Sequence, residues 1–179
     1  YEPLNEDLVA YYPFNGNADD ESGNGNDGTV NGASLTTDRF GSSNSAYHFD
    51  GSNDYITCGD NNTLDFDETE NFSYGAWIKT NTPPITYDSA VILNKDQSVR
   101  EWQLILRPDG KPGFWLRDES GIITTVPQSS QIVNTIDDKW HKLFVTVDRS
   151  SLDGAKLYVD GVLQISKDPT QLGSLDNSN

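Results

Sequence analysis

Carboxylates and amides crowd into residues 19–28, which read Asp-Asp-Glu-Ser-Gly-Asn-Gly-Asn-Asp-Gly. These residue types supply hard oxygen ligands, and calcium takes roughly six to eight of them from a flexible loop. A second oxygen-rich loop, Asp-Gly-Ser-Asn-Asp, occupies residues 50–54. The first loop is not an EF-hand, because no glutamate stands at the twelfth position and no helices are expected to flank it. The pattern predicts a structural Ca2+ ion, with candidate ligands Asp19, Asp20, Asn26, Asp27, Asp50 and Asp54.

The same two loops have another explanation. Asp and Asn side chains in turns accept hydrogen bonds from their own backbone and form Asx-turns. A surplus of exposed carboxylates also keeps a protein soluble by mutual repulsion. Both explanations stay open beside the calcium prediction.

Three tryptophans lie in stretches that alternate apolar and polar residues. Indole rings stack on the CH groups of a pyranose, and planar polar side chains orient its hydroxyl groups. The alternative is that these tryptophans pack the protein interior, as they commonly do in strands. The pattern predicts a carbohydrate-binding groove lined by Trp77, Trp102, Gln103, Arg107, Trp115 and Arg117.

Groups suited to catalysis are not arranged for it. Glycoside hydrolysis needs two carboxylates that face each other across a cleft, and the acidic residues between 65 and 70 are spaced like a turn. His48 and His141 have no Ser or Cys pattern around them that would form a nucleophilic triad. The sequence therefore predicts a protein that is not an enzyme.

The elements that must position these residues are short strands. Aromatic residues make up 11% of the 179 residues, and 15 Gly and 8 Pro separate the apolar stretches, which is typical of a β-sandwich or barrel that folds as one domain. The all-β fold class is predicted from this pattern. Strands are expected at residues 8–14, 28–32, 46–49, 55–58, 72–79, 90–94, 102–107, 113–117, 122–126, 140–148, 156–159 and 163–166.

Two stretches show which faces should be buried. Period-2 geometry in residues 72–79 places Phe72, Tyr74, Ala76 and Ile78 on one face, which we expect to be the core. Residues 140–147 carry bulky groups on both faces, so this strand should be central in its sheet. The Asp160-Gly161 dipeptide predicts a hairpin turn, because both positions tolerate positive φ.

Charge and hydropathy limit the partners. A net charge of -16 repels phosphate backbones and anionic lipid heads, so nucleic acid is excluded as an expected partner. No apolar run approaches the roughly 20 residues that span a bilayer, so no membrane insertion is expected. Cys58 is the single cysteine, which rules out a disulfide within the chain.

Three stretches in sequence order, at residues 12–30, 49–78 and 140–161, carry a family resemblance. They include Tyr-Pro-Phe-Asn-Gly-Asn, Phe-Asp-Gly-Ser-Asn-Asp-Tyr-Ile and Leu-Tyr-Val-Asp-Gly. Together they resemble the laminin G-like jelly-roll domains of bacterial surface and secreted proteins, within the concanavalin A-like lectin and glucanase superfamily. The resemblance implies a two-sheet antiparallel β-sandwich. It also implies a secreted or cell-surface binding module, calcium-stabilised and either carbohydrate-binding or adhesive.

The last strands of that family pattern do not appear before residue 179. We therefore expect a single domain over residues 1–179 that is incomplete at its C-terminus. A complementing C-terminal polypeptide segment is expected to pair with residues 8–14, because an open sheet leaves backbone donors and acceptors unpaired. The expected partner is a glycan or a surface protein. The alternative function is a structural or protein-interaction domain of a larger surface protein, with no sugar affinity.

Overall fold

The structure, a computed structural model, describes residues 7–84, 90–97, 100–125 and 132–175. Strands dominate these residues, which confirms the all-β fold class. The chain consists of two compact units, Tyr1–Leu64 and Asp65–Asn179. In the described part of the chain, no helix has the length and apolar character needed to cross a membrane. The expectation of a single domain over residues 1–179 stays a prediction.

The first unit contains four three-residue strands: β1 (Thr29–Asn31), β2 (Ser34–Thr36), β3 (Ala46–His48) and β4 (Tyr55–Thr57). Antiparallel pairing joins β1 to β4 and β2 to β3, giving two separate two-stranded sheets. A 3-10 turn follows at Asn62–Leu64. The strands are short because Gly and Asn recur between them and favour turns.

Residues 8–14 do not form the strand that their apolar alternation predicts, so that prediction is wrong. The backbone carbonyl oxygen of Val9 accepts hydrogen bonds from the side chains of Ser22, Asn24 and Asn26. The backbone amide of Tyr11 donates to a carboxylate oxygen of Asp20 at 2.9 Å. Side chains of the acidic loop thus take the backbone groups that a neighbouring strand would need.

The second unit contains two four-stranded antiparallel sheets. The strands are β5 (Phe72–Lys79), β6 (Ala90–Gln97), β7 (Arg100–Leu106), β8 (Pro112–Asp118), β9 (Gly121–Thr125), β10 (Trp140–Val147), β11 (Ala155–Val159) and β12 (Val162–Lys167). In the first sheet the order is β12-β11-β10-β5 and in the second it is β6-β7-β8-β9. As expected, β10 is central, since it pairs with both β5 and β11.

Both sheets of the second unit contribute side chains to one hydrophobic core. Alternate residues of β10 and β11 are buried, as are alternate residues of β8. In β5 the predicted inward set is the more buried one, which confirms the alternation. The most deeply buried members are Leu104, Phe114, Leu116, Leu143, Val145 and Leu157.

The turn between β11 and β12 is the predicted hairpin. Asp160 has φ 51° and Gly161 has φ 80°, the combination that a two-residue type I′ turn requires. The return strand β12 contains a register shift, because Leu157 pairs with Ile165 while Tyr158 pairs with Leu163. Gln164 is therefore an extra residue in the ladder, and Leu163 lies opposite Tyr158.

Candidate functional site

The face of the first sheet that points away from the core is rich in lysine and aromatic residues. Because side chains alternate along a strand, the residues between the buried positions of β5, β10 and β11 form this face. None of them is Asp or Glu, although the chain as a whole carries a net charge of -16. The outward residues are Ser73, Gly75, Trp77, Lys79, Trp140, Lys142, Phe144, Thr146, Lys156, Tyr158, Leu163 and Ser166.

Cross-strand register places tryptophan and lysine side by side twice. Trp77 of β5 lies opposite Lys142 of β10, and Lys79 of β5 lies opposite Trp140 of β10. Residues directly opposite in an antiparallel pair have Cβ atoms roughly 5 Å apart. Each tryptophan therefore has a lysine directly opposite it on the neighbouring strand.

Phe144 lies at the centre of the face, over a glycine. It pairs with Gly75 on one side and with Tyr158 on the other. A Cβ atom added at Gly75 would lie 2.4 Å from the backbone oxygen of Leu143 and 2.7 Å from the Phe144 ring. Only glycine leaves space for the ring here, so Gly75 keeps this part of the face flat.

Several of these side chains are accessible to a partner. Trp77 is 41% exposed and Leu163 is 49% exposed, and Lys79 and Lys142 are also exposed. The ammonium nitrogen of Lys142 lies 5.1 Å from the centroid of the Phe144 ring, within the range of a cation-π contact. We call this surface the lysine-aromatic face and define it by Trp77, Lys79, Lys142, Phe144, Lys156, Tyr158 and Leu163.

His141 lies between two carboxylates, beside Lys142 of the lysine-aromatic face. Asp160 accepts a hydrogen bond from the backbone amide of Lys142 at 2.8 Å, and its other oxygen lies 2.7 Å from Nδ1 of His141. Nε2 of His141 lies 3.0 Å from a carboxylate oxygen of Asp137. Burial alone would lower the pKa of His141, but these two carboxylates raise it above its ordinary value. The two carboxylates therefore stabilise the charged form of His141.

The six residues predicted to bind sugar do not gather at one place. Trp77 lies on the lysine-aromatic face, whereas Trp102 is 8% exposed and belongs to the core, with its ring centroid 4.7 Å from that of Tyr74. The packing explanation therefore applies to Trp102. On the second sheet, Gln103 of β7 lies directly opposite Trp115 of β8.

The remaining predicted sugar ligands, Arg107 and Arg117, lie beside or on the second sheet. Arg117 follows Trp115 by two positions and so points to the same side of the second sheet. Arg107 follows β7, and its guanidinium lies 3.7 Å from Asp109. The indole Nε1 of Trp115 is buried and has no hydrogen-bond partner among the described residues. Sugar binding by these residues stays a prediction.

The predicted metal ligand Asp20 is saturated by hydrogen bonds from its own loop and its surroundings. One carboxylate oxygen accepts from the backbone amides of Tyr11 and Ser22, and the other accepts from the backbone amide of Asn26 and the Ser22 hydroxyl. Burial would raise the pKa of Asp20, but these donors lower it below its ordinary value. Asp27 similarly accepts the backbone amide of Asp20 at 2.9 Å.

The other candidate metal ligands also bond within their loops. Asp54 accepts the backbone amide of Asp50, and Asp50 accepts that of Ser52. Asp19 accepts the side-chain amide of Asn17, while Asn26, fully buried, donates to the Val9 carbonyl. No group of three or more His, Cys, Asp or Glu side chains suited to a metal occurs in the described residues. The arrangement around Asp20 does not fit a calcium site, and calcium elsewhere stays a prediction.

Sequence reasoning included Trp77 but missed the lysines and the central aromatic residue beside it. Lys142 and Phe144 alternate with the buried residues of β10, and the bulky groups on both sides of that strand were visible in the sequence. The pairing of β10 with β5 was not visible, since their order and register are set by the tertiary fold. The alternation within each strand was therefore visible in the sequence, but the face that neighbouring strands form together was not.

Comparison with known families identifies the chain. Residues 15–179 match the family described as Clostridium neurotoxin, N-terminal receptor binding, and the chain belongs to this family. The assignment to laminin G-like and concanavalin A-like lectin domains is therefore wrong. The family consists of receptor-binding domains, so the chain is a binding module, and the prediction that it is not an enzyme is confirmed.

Solved structures show the same fold at low sequence identity. The binding domain of botulinum neurotoxin serotype D has a TM-score of 0.69 and 22% identity, covering 96% of this chain and 41% of that one. The binding domain of Paraclostridial Mosquitocidal Protein 1 has a TM-score of 0.65 and 21% identity, with 90% and 40% covered. This chain thus spans about 40% of the length of these binding domains. A search of curated proteins gave no match.

Proposed function

We propose that this chain is the part of a secreted, toxin-like protein that contacts a cell-surface receptor, and that the contact is made by the lysine-aromatic face. The proposal is supported by the receptor-binding family to which residues 15–179 belong. Binding hot spots are enriched in Trp, Tyr and Arg and are surrounded by a polar rim. The observation that carries the proposal is Trp77, 41% exposed and set beside Lys142.

The fold supports a rigid presentation of this face. Since one core receives side chains from both four-stranded sheets, we infer that the second unit is a two-layer antiparallel sandwich. In such an arrangement the outward face of β5, β10, β11 and β12 rests on packed side chains. Rigid strands lose little conformational entropy when a partner binds.

Two kinds of receptor suit the face. A glycan would stack on Trp77 and bond to the lysines, as the sequence suggested for a carbohydrate-binding module. A protein receptor would cover the flat area around Phe144, which corresponds to the interaction domain without sugar affinity. Enzymatic removal of glycans from the target cell should abolish binding to a glycan receptor and leave binding to a protein receptor unchanged.

Cell binding tests the proposed function. Fluorescent wild-type protein is applied to a panel of vertebrate and mosquito cell lines, and bound fluorescence is measured by flow cytometry beside a Trp77→Ala variant. We expect Trp77→Ala to reduce binding at least about tenfold, since an aromatic hot-spot residue contributes about 2 kcal/mol or more. The matched control is Leu152→Ala, which truncates a side chain 75% exposed in the loop between β10 and β11, outside the residues that define the face. Equal binding by wild type and Trp77→Ala, with melting temperatures unchanged, would refute the proposal.

A further inference from the structure

The charge of the lysine-aromatic face is opposite to that of the chain. The sequence has 12 basic residues against 28 acidic ones, yet the outward positions of β5, β10 and β11 hold Lys79, Lys142 and Lys156 and no carboxylate. A basic area on a strongly acidic protein is not a by-product of overall composition. It indicates a partner that carries negative charge at the point of contact.

The three lysines form a diagonal across the sheet. Lys79 and Lys142 lie on adjacent strands one outward position apart, because Lys142 pairs with Trp77. Lys142 and Lys156 lie on adjacent strands two outward positions apart, because Lys156 pairs with Thr146. With roughly 4.8 Å between strands and roughly 3.4 Å per residue, the Cα separations are roughly 8 Å and roughly 14 Å. A partner that contacts all three must be extended over roughly 20 Å and carry several negative charges.

Aromatic rings lie between the lysines along this diagonal. Trp77 is next to Lys142, and Phe144 with Tyr158 occupies the row between Lys142 and Lys156. Rings present apolar faces that stack on the CH surface of a sugar, while lysine ammonium groups suit sulfate and carboxylate groups. The alternation of ring and charge therefore suits a chain of sugar rings with repeated acidic substituents.

From this arrangement we infer that the lysine-aromatic face binds a linear acidic polysaccharide that carries sulfate or uronate groups. The inference rests on the proposed function and specifies its receptor class. Lys79 already has one carboxylate neighbour, Asp138, at 3.5 Å, and a neutral glycan would offer no negative charge to any of the three lysines. An extended anionic membrane is disfavoured because it would also repel the surrounding carboxylates, whose field extends about 8 Å at physiological salt.

Binding to defined polysaccharides tests the inference. Heparin oligosaccharide and hyaluronan serve as the acidic probes, a neutral dextran as the uncharged one, and phosphatidylserine vesicles as the membrane. We expect wild-type protein to bind an acidic probe, with affinity that falls as salt is raised, and to bind neither dextran nor vesicles. Because most acidic proteins are repelled by polyanions, retention on heparin is informative here.

Variants locate the binding. The triple variant Lys79→Gln, Lys142→Gln, Lys156→Gln should lose at least about tenfold in affinity, and Trp77→Ala should also weaken binding. Lys167→Gln is the matched control. Lys167 is an exposed lysine of the same sheet, but it lies opposite the core residue Ala155 and is therefore not part of the lysine-aromatic face. Equal affinity of wild type and the triple variant would overturn the inference, as would tighter binding to vesicles or dextran than to both acidic probes.

Different experimental outcomes would contradict the polysaccharide inference and the proposed cell-binding function. If Trp77→Ala abolishes cell binding while neither acidic probe binds or competes, the face is a receptor site but its ligand is of another class. If the acidic probes bind at the face while Trp77→Ala leaves cell binding unchanged, the polysaccharide inference stands and the cell-binding proposal is wrong. Circular dichroism and melting temperatures of each variant show that loss of binding is not loss of fold.

Discussion

Asp160 hydrogen-bonds to the backbone of Lys142 through both its side chain and its own backbone. Its carboxylate accepts the Lys142 amide at 2.8 Å, and its own amide donates to the Lys142 carbonyl at 2.9 Å. The second carboxylate oxygen contacts His141, which contacts Asp137 in turn. The position of a lysine on the lysine-aromatic face is thereby connected to the protonation state of His141.

The pH dependence of stability should reveal this connection. The pKa of His141 is raised above 6.5 in the folded protein, so its contribution is fully present below pH 6.5 and is lost as pH rises through the folded pKa. We expect the free energy of unfolding to fall between pH 6 and pH 8, and to fall less in His141→Gln. At pH 6 the variant should lose about 1–3 kcal/mol, because two carboxylates lose their shared partner. Urea denaturation at both pH values measures this.

The other titrating groups act equally in both proteins. The pKa values of Asp137 and Asp160 are lowered, that of Asp137 to about 2, so both are ionised from pH 6 to pH 8. His48 is exposed and present in both, which makes His48→Gln the matched control. An identical pH dependence in wild type and His141→Gln would contradict the assignment.

Replacing Asp20 should destabilise the acidic loop. Asp20→Ala removes the acceptor of three backbone amides, including the buried amide of Asn26, and we expect a loss of about 3 kcal/mol. The pKa of Asp20 is lowered below 3.8, so its contribution is present above that pH and is lost as pH falls through the folded pKa. Asp19→Ala is the control, expected within about 0.5 kcal/mol of wild type. Equal losses from the two variants in urea denaturation would show that Asp20 has no special role.

Chelation separates the two explanations of the acidic loops. A calcium ion bound only to the folded state would raise stability by about 2.7 kcal/mol at a hundredfold excess over Kd. Because the oxygens of Asp20 are already bonded to amides, we expect the melting temperature to be the same in EDTA and in millimolar calcium at matched ionic strength. A lower melting temperature in EDTA would support the calcium prediction instead.

Arg149 should anchor the segment that follows β12. Nε donates to the Glu70 carbonyl at 2.9 Å, and Nη1 donates to the carbonyls of Leu172 and Gly173 at 2.8 and 3.0 Å. Arg149→Ala leaves these acceptors without their cationic donor, and we expect a loss of about 3 kcal/mol in the free energy of unfolding. Arg149→Lys should recover only part of this free energy, because an ammonium group lacks the planar, forked set of donors of a guanidinium.

Hydrogen exchange locates the effect of that substitution. The amide of Leu175 donates to the Phe66 carbonyl, and its protection should fall in Arg149→Ala more than that of Leu143 in the core. Arg39→Ala, at an exposed arginine of the first unit, is the control. It should change neither the free energy of unfolding nor the protection of the Leu175 amide. Unchanged protection at Leu175 would contradict the anchoring role.

The success of the sequence predictions depended on local alternation. Residues 72–79 were predicted with the observed bounds because a half-buried strand shows its period directly. Residues 8–14 failed because Asp20, Asn24 and Asn26 bond their backbone groups, a competition that depends on tertiary contacts. The strand Ser34–Thr36 was missed, although the three other strands of the same length were predicted.

The family assignment failed for a related reason. The stretches that suggested a laminin G-like domain include turns such as Asp160-Gly161, whose residue types are required by backbone geometry in many β-proteins. Such motifs report local conformation and not descent. The lysine-aromatic face was only partly predictable because it depends on the pairing of Trp77 with Lys142.

The extra residue in β12 bears on how related sequences should be aligned. Deleting Gln164 would let Ile165 pair with Leu157 by regular spacing and would leave Leu163 opposite Tyr158. Both faces of the sheet would keep their residues, and the main loss would be the hydrogen bond from the Val133 amide to the Gln164 side chain. Evolutionary insertions and deletions of one residue should therefore be tolerated at this position, and an alignment gap there is compatible with an unchanged surface.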